Sequence, residues 1–404
     1  MSENNFIDDF YKLLSPIDKW DGEYKTLKEL FDIKLVQYGI SANQAESLLG
    51  LQKRTLEGII DNSAKRVDVV SLLKLGQFLG LDVSALMKAF VNGISLDVTK
   101  DLSDARKNSF IISNFDLKNL FKIGFIQNKN DFEYIGNRIK IFFGIDNIED
   151  YVNKFFYIPA FSRTKRNANT LMREFWVRSA FVHFEILNNP NKFDRQALVD
   201  LIPKIRPYTM NVEKGLKTVT QALYNIGVTV IFQPHLPTTQ VRGATFVVLD
   251  KPCIALTDLN KNYATIWFAL LHELHHILYD YEQIKNQVFH LTGEVDLFLL
   301  QEDAANDFAR DFLFSIERTK YIKAYINNNY LVSEYAKEIQ VHPSIIYNFY
   351  CYDMNKTDSE NHWGRFKKYD ADISLALKDI NVKSFENESI KQTVTYLTET
   401  IFNF

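Results

Sequence analysis

The chain has 404 residues, of which 46% are apolar and 14% aromatic, enough apolar material for two or three domains with their own cores. Its formal net charge of −3 excludes a general polyanion-binding protein, although a local basic face remains compatible with this value.

The two cysteines, Cys253 and Cys351, lie far apart in the sequence. They form neither a disulfide framework nor a C-x-x-C metal site, which is typical of a reducing cytosol. The first residues, MSENNFIDDFYKLLSP, are acidic and lack the basic start and apolar run of a signal peptide. No apolar run approaches the roughly 18–20 residues that span a bilayer. We therefore expect a soluble, cytoplasmic protein with no membrane partner.

Short amphipathic segments over residues 21–92 predict a compact helical domain. Ser41 suits a helix N-cap, and Gly50 suits the end of the same helix. The pair 41–49 and 52–60, joined by a tight link, is typical of a helix-turn-helix. The same pattern also fits a small docking bundle that has no role in DNA binding.

Residues 93–209 are predicted to form a helical connecting region, in which DLKNLFKIGFI and DFEYIGNRIKIFFGI can each bury one face. Its basic residues Arg163, Lys165 and Arg166 are interpreted as a solvated surface. Pro203 and Pro207 predict a bend before the next unit.

Residues 210–350 indicate a unit with a small sheet followed by helices. VTVIFQP, VRGATFVVLD and KPCIALTD are predicted strands, and the last two are joined by a predicted turn at 250–252. Residues 351–404 form a C-terminal extension. The fold class predicted for the chain is α+β and mostly helical.

The stretch WFALLHELHHILYD contains three of the eight histidines. His272 and His276 are four residues apart, so on a helix both side chains project from one face within reach of one metal ion. Glu273 completes the pattern H-E-x-x-H, in which the glutamate is the general base beside a zinc site. His275 also has a chelating spacing with His272, but the i,i+4 pair places Glu273 correctly. The pattern also occurs by chance in helices that bind no metal.

A zinc site of this kind needs a third protein ligand and an open position. Glu302, 26 residues after His276, begins the segment EDAANDFARDF, a predicted helix whose alanines allow close packing against the histidines. Asp303 and Asp307 are rival ligands that point to other sides of that helix. The oxyanion of a peptidase reaction needs a further donor. Candidate contacts to the substrate or transition state are Arg242, Tyr263, His275, Tyr279 and His290.

LLHELHHILYD followed by EDAANDFARDF resembles the ImmA/IrrE metallopeptidases, whose pattern is H-E-x-G-H plus E-x-x-A-N-x-F-A. The preceding stretch, LPTTQVRGATFVVLDKPCIALTD, resembles the branch that joins this zincin-like domain to an XRE-type helix-turn-helix, including HigA-like regulators. The likeness covers 210–315 and extends more weakly over 160–210, 316–350 and 25–90. His275 stands where the family has glycine.

The resemblance implies that His272, His276 and Glu302 bind zinc, that Glu273 is the base, and that Asn306 supports the site. It also implies an XRE-like domain over 21–92, a connecting region over 93–209 and a peptidase domain over 210–350. Within the XRE-like pattern the candidate DNA contacts are Gln52, Lys53, Arg54 and Thr55, with Lys65 and Arg66 as further phosphate contacts.

Members of that family cleave a partner repressor or antitoxin. We therefore expect a zinc-dependent endopeptidase of narrow specificity in a stress, toxin–antitoxin or phage-defence switch, although Mn²⁺ or iron also suits these ligands. One alternative is a DNA-binding regulator or antitoxin whose peptidase domain is a sensor or inactive. Another is the effector of a defence pair. Since XRE domains commonly act as dimers, a homodimer is expected.

Overall fold

The computed structural model describes residues 25–64, 66–94, 96–153, 168–239, 241–287, 290–292, 302–355, 361–380 and 384–402. The basic residues Lys65, Arg163, Lys165 and Arg166 fall outside these ranges. The chain divides into two compact units, Met1–Phe110 and Ile111–Phe404.

The first unit contains the helices that the sequence predicts between residues 21 and 92. They are α1 Leu27–Tyr38, α2 Ala42–Leu49, α3 Lys53–Ile60, α4 Val69–Leu79 and α5 Val83–Asn92. Ser41 caps α2 in a reciprocal pair with Gln44, so two backbone N–H groups at the helix start are satisfied. Gly50 ends α2 with a φ of 59°, a left-handed conformation that favours glycine, and thereby allows the tight link to α3.

The second unit is mostly helical, and helix α6 (Leu96–Asn114) contains the boundary between the units. Its further helices before the sheet are α7 Leu117–Lys122, α8 Phe132–Phe143, α9 Asp150–Asn153, α10 Ala168–Leu187, α11 Arg195–Leu201 and α12 Gly215–Asn225. The bend predicted at Pro203 and Pro207 is a pair of short 3₁₀ helices, Ile202–Lys204 and Arg206–Met210.

The helices after the first three strands begin with α13 Tyr263–Tyr279, which we name the histidine helix. They continue with α14 Tyr281–Gln287, α15 Glu302–Leu313 (the alanine helix), α16 Ile316–Ile322, α17 Asn329–Glu338, α18 Pro343–Met354, α19 His362–Phe366, α20 Ile373–Leu377 and α21 Ile390–Leu397. Three 3₁₀ segments, Leu259–Lys261, Lys323–Tyr325 and Lys367–Tyr369, and a π-helical end, Thr398–Phe402, complete the described helices.

The sheet of the second unit has four described strands in the order β1-β3-β2-β4. They are β1 Thr229–Gln233, β2 Gly243–Val248, β3 Lys251–Thr257 and β4 His290–Thr292. β1 pairs parallel with β3, whereas β2 pairs antiparallel with both β3 and β4. The three strands predicted from the sequence are confirmed. β4 was not predicted, because three residues are too few for a recognisable pattern.

The hairpin between β2 and β3 differs slightly from the predicted turn at 250–252. The two turn residues are Leu249 and Asp250, both with positive φ, and Lys251 already belongs to β3. Two successive positive φ values match the twist of the flanking strands, which is why this turn type closes tight hairpins.

The sheet lies between helices on its two faces. On one face Phe246 of β2 packs against Phe181 and Phe184 of α10, with ring centroids 6.0 and 5.4 Å apart. Its neighbour Thr245 projects to the other face, as alternation along a strand requires, and contacts Glu273 of the histidine helix. The histidine helix is therefore held between the sheet and the alanine helix.

One hydrophobic core in the second unit runs from Leu198 through the sheet and the histidine helix to Ile401. It crosses the positions near 210 and 351 where the sequence suggests divisions. The division into 21–92, 93–209, 210–350 and 351–404 is finer than the two compact units, and it stays a prediction. Within the described part of the chain, no helix alone has the length and apolar character needed to cross a membrane; Val69–Leu79 and Val83–Asn92 pass that test only together and are bent by 107°.

Candidate metal centre

The histidine helix is positioned by its cap and by its apolar character. The Asn262 side chain accepts a hydrogen bond from the backbone N–H of Thr265 at 3.0 Å and so caps the start of the helix. Most of its residues are buried, including His272 and His276. A helix surrounded on nearly all sides has little freedom to rotate, so the two imidazoles are held in fixed directions.

Three side-chain groups converge beside this helix. The Nε2 atoms of His272 and His276 are 3.1 Å apart. Glu302, the first residue of the alanine helix, has Oε2 3.3 Å from Nε2 of His272 and Oε1 3.6 Å from Nε2 of His276. Two atoms that bind one zinc ion at about 2.0–2.1 Å with tetrahedral angles lie about 3.3–3.4 Å apart. The spacing of these donors therefore fits a divalent metal ion.

The outer nitrogens of both imidazoles have oxygen partners. Nδ1 of His276 is 2.7 Å from Oδ2 of Asp280, and Nδ1 of His272 is 3.1 Å from Oδ1 of Asn306. Because both partner oxygens accept hydrogen bonds, they assign the ring protons to Nδ1 and leave the Nε2 lone pairs facing each other and Glu302. Such partners fix the tautomer and ring orientation of metal-binding histidines.

Glu273 is fully buried, and its two carboxylate oxygens have different surroundings. Oε2 accepts a hydrogen bond from the Thr245 hydroxyl at 2.5 Å. Oε1 has no hydrogen-bond partner among the described residues. Gly243 lies against this oxygen, and a Cβ there would overlap it. The glycine of RGAT therefore makes room for the Glu273 carboxylate.

His275 points away from Nε2 of the other two histidines. Its ring packs on Tyr279 and on Phe308 of the alanine helix, with centroids 4.7 and 5.4 Å apart. Burial, and then the proximity of His272, lower the pKa of His275, whereas Glu302 raises it. His275, His276 and Asp280 form a second group able to hold an ion. Since both groups use His276, they are alternatives, and Asp280 is already bonded to Nδ1 of His276.

The remaining candidate contacts are distributed unevenly. The structure does not bring Tyr263 to the site: it is buried, and its hydroxyl donates to the backbone oxygen of Thr209 at 2.8 Å. Tyr279 is exposed over the ring of His275. Arg242 is exposed and lines a cleft beside the site. The side chain of His290 lies outside the described part of the chain.

The cleft has a volume of about 620 Å³ and adjoins the candidate metal ligands through Asn306 and Phe268. The Phe268 ring lies 6.1 Å from that of His272. Asp303 and Asp307, the rival ligands, line this cleft instead of joining the histidines. Glu302 is 43% exposed while both histidines are buried, so the ligand group is open on the Glu302 side.

Sequence reasoning missed Thr245, Gly243 and Asp280. Asp280 had a detectable signal, because it follows His276 by one helical turn and an acid there can hold Nδ1. Thr245 and Gly243 reach Glu273 only through the packing of the sheet, which the local motif does not contain.

The candidate DNA contacts lie at the start of α3 in the first unit. Gln52, Lys53, Arg54 and Thr55 are all exposed, as is Arg66. The Lys53 ammonium is 3.9 Å from the Glu57 carboxylate one turn later, which offsets part of its charge. These residues are accessible to a partner, and the partner is not fixed by this geometry.

Comparisons with protein-family models, with curated proteins and with solved structures gave no match to this chain. The site is therefore interpreted from its own donors and their geometry.

Proposed function

We propose that the second unit is a metal-dependent peptidase of the ImmA/IrrE type, in which His272, His276 and Glu302 hold a divalent ion. The carrying observation is that these three donor groups lie 3.1–3.6 Å apart. Zinc is the ion that best suits two imidazoles and a carboxylate, although Mn²⁺ or iron also suits them. A bound zinc ion supplies Lewis-acid polarisation of a carbonyl and activation of water.

Glu273 is the general base of this proposal. Thr245 holds Oε2, so the oxygen without a partner, Oε1, is the one that takes a proton from the attacking water. The same oxygen then delivers the proton to the leaving amine. Arg242 has no side-chain partner among the described residues and lines the cleft, so it is available to donate to the oxygen of the scissile carbonyl.

The substrate we propose is a folded partner protein, a repressor or an antitoxin, cleaved in a stress, toxin–antitoxin or phage-defence switch. The support is the sequence resemblance together with a first unit whose helices provide a separate surface for recognition. We place the activity in the cytosol, since both cysteines are free. A homodimer formed through the first unit is part of the same proposal.

The experiment is co-expression of the chain with the proteins encoded beside its gene, followed by mass spectrometry of new N-termini. Wild type should generate a new N-terminus in one neighbour, and Glu273→Gln should not, because the amide cannot accept the proton. The wild-type and Glu273→Gln proteins should contain the same amount of metal. New N-termini that are identical in the two strains would remove the peptidase proposal.

A second candidate function is DNA binding by the first unit, with the enzyme-like site as a sensor or inactive. The observation that favours it is the exposed start of α3, which carries Lys53 and Arg54 after the tight link at Gly50. Contacts to phosphate from two such side chains would contribute affinity that falls steeply with salt.

A mobility-shift titration on the DNA upstream of the gene tests this second function. Binding that weakens with salt, and weakens further in Lys53→Ala/Arg54→Ala, would support it. Lys25→Ala/Lys28→Ala, a matched loss of two exposed positive charges from the same unit, is the control. Binding that is unchanged by the double substitution would exclude α3 as the contact surface.

A further inference from the structure

The cleft beside the metal ligands is lined by carboxylates and aromatic rings to which the proposed function assigns no role. It runs along Phe268 and Thr265 of the histidine helix and is bordered by residues of α18 and α19. Its side chains are not evenly polar: carboxylates lie along one helix, and aromatic rings lie on the histidine helix, α18 and α19.

The carboxylates lie along one face of the alanine helix. Asp303, Asp307 and Arg310 follow one another at helical spacings of four and three residues, and all line the cleft. Asn306, between them, bonds to His272. Ala305 occupies another face and is fully buried. The carboxylate face is therefore continuous with the metal ligands.

Arg310 is not available to a ligand. Its guanidinium makes a two-pronged ion pair with Asp353, donates to the hydroxyl of Thr319, and stacks 5.1 Å from the Phe349 ring centre. A planar fork paired in this way is a rigid wall of the cleft. The charges of Arg310 and Asp353 cancel locally.

Asp303 and Asp307 have no ion-pair partner within the described ranges, and both are exposed. Among the described residues that line the cleft, the remaining charged side chain is Arg242, which projects from the strand side next to Gly243. Two open carboxylates against one guanidinium leave the cleft net negative. An acidic ligand would gain one partner and meet two repelling groups.

Aromatic rings also line the cleft, including Phe268 beside His272. Phe349 is buried, whereas Tyr352 and Trp363 are 53% and 38% exposed. Aromatic faces attract cations, and they also pack against the methylene stems of long basic side chains. A lysine or arginine side chain satisfies both the rings and the carboxylates.

The geometry points to a specificity subsite in which this cleft binds a lysine or arginine side chain of the substrate, next to the bond that is cleaved. The inference rests on the proposed peptidase function and gives that function a substrate preference. The basic head lies between Asp303 and Asp307, and its stem lies against the aromatic rings. Arg242 remains on the strand side, next to the carbonyl that reacts.

The test uses a synthetic library of mixed-sequence peptides with the full-length, zinc-loaded protein. The new ends that wild type produces are sequenced by mass spectrometry. The same library is passed over immobilised Glu273→Gln protein, and the retained peptides are sequenced. Both readouts are repeated with Asp303→Asn/Asp307→Asn and with Asp311→Asn, a matched control for an exposed acid on the same helix that does not line the cleft.

We expect lysine or arginine to be enriched about tenfold at one position beside the cleaved bond and in the retained peptides. The double variant should lose this enrichment at unchanged metal content, and Asp311→Asn should keep it. Cleavage or retention without basic enrichment, or enrichment that survives in the double variant, would overturn the subsite. Retention of basic peptides with no cleavage by wild type would uphold the subsite, and cleavage of a neighbouring protein in the co-expression experiment then decides the peptidase function separately. No retention and no cleavage would overturn the subsite, and the co-expression experiment again decides the peptidase function.

Discussion

The Glu273 carboxylate is buried, yet only one of its oxygens has a hydrogen-bond partner among the described residues. An unsatisfied buried oxygen carries a free-energy penalty of about 1–3 kcal/mol. Side chains that retain such a penalty are often those that react with a ligand. The contact from Thr245 fixes which oxygen remains free, so Thr245 would position Glu273 as the proposed base.

Thr245→Val should lower kcat by about ten- to a hundredfold, because the isosteric side chain no longer holds Oε2. The metal content should be unchanged, since Thr245 contacts no ligand. Thr245→Ser, which retains the hydroxyl, should restore most of the activity. Equal kcat in the valine and wild-type proteins would show that the hydrogen bond does not position the base.

Asp280→Asn should weaken metal binding by about ten- to a hundredfold, because the amide is a poorer partner for Nδ1 of His276. The measurement is competition for the ion against a chelator of known affinity. Unchanged affinity would contradict the role of Asp280 in orienting His276. Complete loss of the ion would instead favour the alternative group of His275, His276 and Asp280.

At the scale of elements, the distance between the histidine helix and the alanine helix determines where Glu302 lies. Ala305 and Ala309 are fully buried in this contact. Small side chains allow two helix backbones to approach closely, and that approach brings the first residue of one helix to the imidazoles of the other. The sequence predicted this packing from the alanines.

Ala305→Leu should push the histidine helix and the alanine helix apart, because the larger side chain does not fit between them. The free energy of unfolding should fall by about 1–3 kcal/mol, and the affinity for the metal ion should fall with it. Ala304→Leu, one residue earlier and partly exposed, is the matched control and should leave both quantities near wild type. Thermal unfolding with and without added zinc measures the first quantity, and chelator competition measures the second. A stable Ala305→Leu protein with full affinity would show that Glu302 is not positioned by this contact.

Helix α10 contains a fully buried histidine with a consequence for stability. Burial lowers the pKa of His183 to about 4, and its Nε2 has no partner among the described residues. The unfolded chain binds a proton near pH 6.5, so stability is fully present above that pH and is lost as pH falls toward 4. Between pH 7 and pH 5 this loss is about 2 kcal/mol.

His183→Leu should therefore lose about 2 kcal/mol less stability than wild type between pH 7 and pH 5. Denaturant unfolding of both proteins at pH 7 and pH 5 measures the loss of unfolding free energy in each. The other histidines contribute equally to both losses, so the difference between the two losses is due to His183. Equal pH dependence in the two proteins would mean that His183 is solvated or charged in the folded state.

The elements that sequence patterns predicted well are those with local signals. Ser41, Gly50 and the regular apolar spacing were sufficient for the helices of the first unit. The strand His290–Thr292 has no such signal, because its position depends on pairing with β2.

For the whole molecule, the sequence predicted the donors and Asn306, but not the other residues around them. His272, Glu273 and His276 are linked by one helix, so their spacing alone places them. Thr245 reaches the site because alternation on β2 directs it away from Phe246, which requires knowing how the sheet is covered. Knowing where the Tyr263 hydroxyl lies requires the same information, because it donates to the backbone oxygen of Thr209 in the core.

The core of the second unit explains why the connecting region and the C-terminal extension cannot be treated as separate from the site. Leu198 and Ile401, from either end, belong to the same hydrophobic cluster as Leu270 and Leu274 of the histidine helix. Residues far from the ligands therefore contribute to the rigidity on which the ligand spacing depends.

The measurement that tests the central claim most directly is elemental analysis of the protein purified without chelator. Wild type and His275→Ala should each contain about one zinc ion per chain, and Glu302→Ala should have lost most of it. Wild type without metal, even after zinc is added back, would contradict the metal centre. A full ion in Glu302→Ala with none in His275→Ala would move the centre to the group that includes Asp280.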